Sequence, residues 1–209
     1  MSALDRLNIY LAECPLIAIV RGVTPDEIEE IGDAIFDAGI RIIEVPLNSP
    51  DPLESIRRLS AHLGDRALVG GGTVLKPHSV ADVRASGGRI IVSPATNVDV
   101  IAAAASEGLV SCPGYFTPSE AFAALAAGAT ALKLFPAEAA SPAVLKAQRA
   151  VIPADVPVIV VGGIKADNMQ PWLDAGATGF GLGGGLYQAG QSPAETGEKA
   201  RAYVVGLRR

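Results

Sequence analysis

The sequence predicts an α/β fold in which eight parallel strands alternate with helices and close into a (β/α)8, or TIM, barrel preceded by one extra helix. Three observations carry that prediction. Eight short apolar, β-branched runs are present, amphipathic segments separate them, and the pattern recurs every roughly 20–26 residues, the spacing of βα units. The runs are residues 16–20, 41–47, 67–74, 89–95, 109–113, 131–136, 156–163 and 179–184. Their near-continuous apolar character suits strands buried on both faces. Eight near-equal units favour closure over an open doubly wound sheet.

The intervening segments carry helix-start chemistry. Thr24-Pro25, Ser49-Pro50, Thr117-Pro118, Ser141-Pro142 and Ser192-Pro193 each set a hydroxyl cap before a proline whose missing N–H costs nothing there. Gly39, Gly128 and Gly176 each follow an alanine where a left-handed C-cap precedes the next strand. Residues 2–13 read as the extra helix, placed to plug the barrel bottom. No linker interrupts the pattern, so residues 1–209 are expected to form one domain.

Composition narrows the function. The chain is 49% hydrophobic, enough for a large core, and carries a formal net charge of −5 without a Lys/Arg run. No nucleic-acid groove is expected, and a small anionic substrate would need local positive groups. Cys14 and Cys112 lack metal-site spacing. The first residues lack a signal-peptide pattern, and no uncharged apolar stretch approaches roughly twenty residues. The expectation is a cytoplasmic protein with no membrane partner.

In such a barrel the chemistry sits at the C-terminal strand ends. Arg21, Glu44, Asn48, Thr73, Pro94 and Lys133 fall there, with the glycine turns Gly162-Gly163 and Gly183-Gly184-Gly185; His62 and His78 fall on helices. Lys133 interrupts an apolar strand. Burying an ammonium is costly, and the usual response is a lowered pKa that leaves a nucleophilic amine able to form an imine with a ketone. The alternative is a lysine paired with an acid. Glu44 also lies in an apolar strand, as either a counter-ion or an acid/base. Arg21 and Thr73 are natural carboxylate binders, although Arg21 equally suits a role pinning its loop. The two late glycine turns suit phosphate binding through backbone N–H groups.

These residues lie in segments that resemble the 2-keto-3-deoxy-6-phosphogluconate/galactonate aldolase family. The segments are 15–22, 44–50, 70–75, 112–114, 131–138 and 161–163, in order along residues 15–205. The resemblance implies a metal-free, homotrimeric class I (Schiff-base) aldolase with no cofactor. Its substrate would be a 2-keto acid sugar phosphate, cleaved to pyruvate and glyceraldehyde 3-phosphate. It makes Lys133 the imine lysine and Glu44 the proton-transfer residue. Arg21, Thr73 and Pro94 then line the pyruvate end, and Gly162, Gly163, Gly183 and Gly184 the phosphate end. Asn48 and Val161 replace two polar residues of the gluconate branch, so the galactonate branch is the nearer likeness. The serine usual in the turn after the eighth strand is missing from Gly183-Gly184-Gly185.

Three other functions compete. One is cleavage of the gluconate epimer or of 4-hydroxy-2-oxoglutarate. Another is a phosphate-binding barrel isomerase, whose metal-dependent form would need histidine and carboxylate ligands at strand ends. The last is a ligand-binding barrel without catalysis, which gives no reason for Lys133 and Glu44 to meet.

Overall fold

The computed structural model describes residues 1–207; Arg208 and Arg209, the end of the expected domain, lie outside the described residues. Nine parallel strand segments form one sheet: β1 (Leu16–Ile19), β2 (Ile42–Pro46), β3 (Leu68–Gly72), β4 (Ile90–Val92), β5 (Val110–Cys112), β6 (Gly114–Tyr115), β7 (Leu132–Leu134), β8 (Val158–Val161) and β9 (Gly179–Leu182). The order is β5-β4-β3-β2-β1-β9-β8-β7-β6. The first and last segments are consecutive in the chain, separated by Pro113 alone. Proline has no N–H for the ladder, so one strand is recorded as two. Hydrogen bonds continue past it on both sides. Gly114 N–H donates to Ser93 O at 2.9 Å, Ala131 N–H to Ser111 O at 3.1 Å and Lys133 N–H to Pro113 O at 2.9 Å. The expected barrel therefore closes, its fifth strand running two residues further than the apolar run suggested.

Side chains alternate between the barrel lumen and the helix-covered outer face. One cluster fills the lumen with Ile17, Ile19, Ile42, Leu68, Ile90, Val92, Val110, Cys112, Ala131, Ile159 and Val161. The other packs Ala18, Ile43, Val69, Ile91, Leu132, Leu134, Val160 and Phe180 under the helices. Period two then forces Glu44, two after Ile42, and Lys133, two after Ala131, to point inward. Helix α1 (Ala3–Glu13) starts with a Ser2/Asp5 capping box. It buries Leu7, Tyr10 and Leu11 in the lumen cluster, the expected plug. An Arg6–Asp65 ion pair at 2.6 Å and a bond from the Tyr10 hydroxyl to Asp65 O at 2.8 Å hold it there.

Three of the five expected caps form, at Thr117, Ser141 and Ser192. Two do not. Helix α2 (Ile28–Asp37) begins after a turn in which the Glu27 carboxylate accepts the Thr24 N–H at 2.9 Å. Helix α3 (Pro52–Leu63) begins after Asp51, because the Ser49 hydroxyl accepts the Gly22 N–H at 2.9 Å instead. Gly39, Gly128 and Gly176 adopt φ of 110°, 99° and 98°, as the C-cap reading expected. Among the described residues no helix is long and apolar enough to cross a membrane.

Candidate active site

The C-terminal strand ends surround a cavity of about 680 Å³. Nine residues expected from sequence line it: Lys133 and Val161 from strands β7 and β8, Arg21, Thr73 and Pro94 just after β1, β3 and β4, then Gly162 and Gly163, Gly183 and Gly184 from the last two turns. Glu44 and Asn48 are not part of that lining. Glu44 is buried beneath the cavity, and Asn48 is tied to Arg21.

Lys133 is only 7% exposed. Its Nζ lies 4.9 Å from the Phe135 ring centroid, two residues on and therefore facing the same way. Glu44 is fully enclosed, and its Oε2 has no hydrogen-bond partner. Burial pushes its carboxyl up from 4.5 to about 7, against the opposing pull of the Lys133 and Arg21 charges. A carboxyl titrating there both takes and gives protons near neutral pH. Cys112 completes this layer; burial pushes its thiol up to about 12, so it stays protonated.

Space for the Glu44 carboxylate comes from Gly72 on the adjacent strand, where a Cβ would collide with the carboxyl group. Arg21 follows β1 and reaches sideways across the ends of β2 and β3. It donates through Nη1 to Asn48 Oδ1 and through Nη2 to Thr73 Oγ1, the latter at 3.3 Å. Thr73 adopts φ 54°, a left-handed conformation rare for a β-branched residue.

In the turn after β8, Gly162 and Gly163 adopt φ of 115° and 65°. Glu138 folds over them, so that a Cβ at Gly162 would collide with its carboxylate. Nothing stands within 4 Å of where a Cβ would sit at Gly183 or Gly184. Phe135, Glu138, Lys165, Tyr187 and Gln188 also line the cavity and were not foreseen. Phe135 was accessible by the same period-two argument as Lys133. The other four lie in loops or, for Glu138, a short 3-10 turn, whose path no periodicity reports. Among the described residues no three His, Cys, Asp or Glu side chains stand together as metal ligands.

The family model described as "KDPG and KHG aldolase" matches residues 7–198. The chain is 47% identical over 199 residues to 2-dehydro-3-deoxy-6-phosphogalactonate aldolase of Escherichia coli K12, covering 95% of this chain and 97% of that one. It is 31% identical over 144 residues to 2-dehydro-3-deoxy-phosphogluconate aldolase of Pseudoalteromonas atlantica, 68% of this chain and 66% of that one. A solved structure titled "Native KDPGal structure" superposes with a TM-score of 0.92 at 47% identity, covering 94% of this chain and 95% of that one.

Proposed function

The chain belongs to the KDPG and KHG aldolase family, and on that premise we propose that it cleaves 2-dehydro-3-deoxy-6-phosphogalactonate to pyruvate and glyceraldehyde 3-phosphate through an imine on Lys133. It is a carbon–carbon lyase. The observation that carries the mechanism is a lysine and a carboxyl buried together under one end of a single cavity, the carboxyl pushed to about 7. The higher identity to the galactonate enzyme supports the choice of epimer.

The Lys133 amine attacks the C2 carbonyl, and the carbinolamine loses water to give the imine. The C4 hydroxyl then gives up its proton as the C3–C4 bond breaks, releasing the aldehyde and leaving the electron pair in an enamine. Protonation at C3 and hydrolysis return pyruvate and free lysine. Glu44 moves the protons in these steps, one group serving repeatedly because its two forms are close in energy near pH 7. The imine nitrogen serves as the electron sink, so no metal is invoked.

Arg21 and Thr73 hold the carboxylate of the keto acid, with Pro94 closing that wall. The far end, with Gly162, Gly163, Gly183 and Gly184, holds the phosphate through backbone N–H groups. Val161, which lines the cavity, bears on the choice of C4 epimer. The protein works in the cytoplasm as a homotrimer. Support for assembly comes from Leu75, Val98, Phe116 and Phe122, large apolar side chains exposed on consecutive sectors after the third, fourth and fifth strands.

The deciding experiment combines borohydride trapping with pyruvate and kcat/KM for the two C4-epimeric phosphates. A reduced adduct on Lys133 and preference for the galactonate epimer are expected. No adduct, with cleavage intact, overturns the imine.

A further inference from the structure

We propose that Asn48 is a positioning residue for the keto-acid carboxylate, acting through Arg21, and that this is how it influences catalysis. The proposal rests on the aldolase reading above and deepens it by giving the pyruvate end a built support.

Arg21 belongs to the turn after β1, yet its guanidinium is held by neighbours on two other strand ends. Nη1 donates to Asn48 Oδ1 after β2, and Nη2 donates to Thr73 Oγ1 after β3 at 3.3 Å. The next residue repeats the tie, Gly22 N–H donating to Ser49 Oγ at 2.9 Å. The turn at Asn48-Ser49 therefore grips residues 21 and 22 as a pair. That turn is itself closed by Ser49 N–H donating to Pro46 O at 2.9 Å, directly at the end of β2. A long side chain that would otherwise sample many rotamers is fixed at the cavity wall.

The chemistry of the acceptors matters as much as their number. Asn48 and Thr73 are both uncharged, and among the described residues Arg21 makes no ion pair. Its positive charge is thus oriented without being neutralised. A guanidinium has five N–H donors, and these two bonds use one on each terminal nitrogen. The remainder stay available to a carboxylate in the cavity that Arg21 lines. Thr73 adopts φ 54° in making its contact, and one of the two non-glycine residues with positive φ among the described residues thus stands at this point. Strain retained at a site points to a geometric requirement there. Asn48 is exposed and does not line the cavity, so it meets the site through its bond to Arg21.

The test uses Asn48→Ala and Asn48→Asp in the full chain, with two readouts. One is the pyruvate concentration giving half-maximal borohydride trapping; the other is the kcat/KM ratio for the two C4 epimers. Asn48→Ala removes the hold on Arg21, and half-maximal trapping should need about tenfold more pyruvate, with a smaller effect on kcat. Asn48→Asp keeps the shape but spends the Arg21 charge on an ion pair, and it should weaken pyruvate binding further. The epimer ratio should stay the same in both. Unchanged pyruvate dependence in both variants, or a shifted epimer ratio, overturns the proposal by making Asn48 either idle or a direct reader of the sugar. Wild-type protein that cannot be trapped at all brings down the imine reading, and this proposal with it.

Discussion

The carboxylate of Glu44 occupies the space that a side chain at Gly72, on the adjacent strand, would need. The two positions are paired by packing across β2 and β3, so the acid and the glycine form one device. Gly72→Ala puts a methyl group into the carboxyl, which is enclosed and has nowhere to retreat. Loss of activity by about 100-fold is expected, with overpacking costing roughly 1–3 kcal/mol. Chemical denaturation of Gly72→Ala, Glu44→Ala and the double variant checks the cause. Stability should recover in the double variant while activity does not. Additive losses would separate the two residues.

Lys133→Ala should abolish cleavage and leave the fold intact. The informative control is Lys165, which lines the same cavity but is exposed. Lys165 stands in an exposed loop, whereas Lys133 is enclosed in the lumen layer that also holds Glu44, the acid/base the imine chemistry needs. Peptide mass spectrometry after borohydride reduction with pyruvate should locate the adduct on Lys133. Modification of Lys165 in its place would move the chemistry to the turn after β8.

Glu44→Gln should slow turnover by about 100-fold. The same substitution has a stability consequence whose sign follows from burial. The Glu44 carboxyl is raised from 4.5 to about 7, so the folded chain binds its proton more tightly than the unfolded chain. Its favourable contribution is present below the unfolded value and is lost as pH rises toward about 7. Above that, the wild type carries a buried charge that glutamine does not. Melting temperatures should therefore favour Glu44→Gln at pH 8 and converge with wild type near pH 4. A difference that is flat across this range would place the carboxyl in a far less buried setting.

Full activity should survive exhaustive chelation, since the imine supplies the electron sink and the metal-ligand groupings of an alternative mechanism are absent among the described residues. Activity lost with EDTA and restored by a divalent ion would point to a different aldolase chemistry.

How much of this was legible in the sequence depends on whether periodicity or loop path decides a position. Lys133 and Glu44 were legible because each interrupts an apolar strand, and period two aims them into the lumen with Ala131 and Ile42. The plug helix was legible as a helical segment ahead of the first strand, outside the eight βα units. The split at Pro113 was not, because a proline at that point reads as a strand end, while the backbone continues beside β7. Ser49-Pro50 resembled a helix cap, but its hydroxyl is captured by Gly22 from another strand end. Lys165 reaches the cavity through a turn redirected by the left-handed Gly162 and Gly163, and Glu138 through a short helical turn at Ala137–Ala139. The Arg21–Asn48 bond spans 27 residues and depends on two such loops meeting. Long-range loop contacts of this kind leave no local pattern.

Epimer selection is the finest expectation and turns on Val161. Its side chain is 6% exposed, lines the cavity, and packs against the space above Gly181 and Ile19. The two C4 epimers differ only in where one hydroxyl points. A hydroxyl aimed at the valine methyls is buried without a partner, at a cost of roughly 1–3 kcal/mol, or one to two orders of magnitude in kcat/KM. Galactonate preference therefore requires the gluconate hydroxyl to be the one facing Val161. Val161→Thr replaces one methyl with a hydroxyl at nearly the same volume, so that orphaned group gains a partner and the preference should narrow by about tenfold. The change in ratio should come from the gluconate substrate, its kcat/KM rising while the galactonate value holds or falls slightly. Measurement of both constants for both substrates separates this from a general loss of packing, which would lower the two together. If the ratio is unmoved, the discriminating contact lies on another wall of the cavity, with Gln188 and Glu138 the next polar side chains in reach.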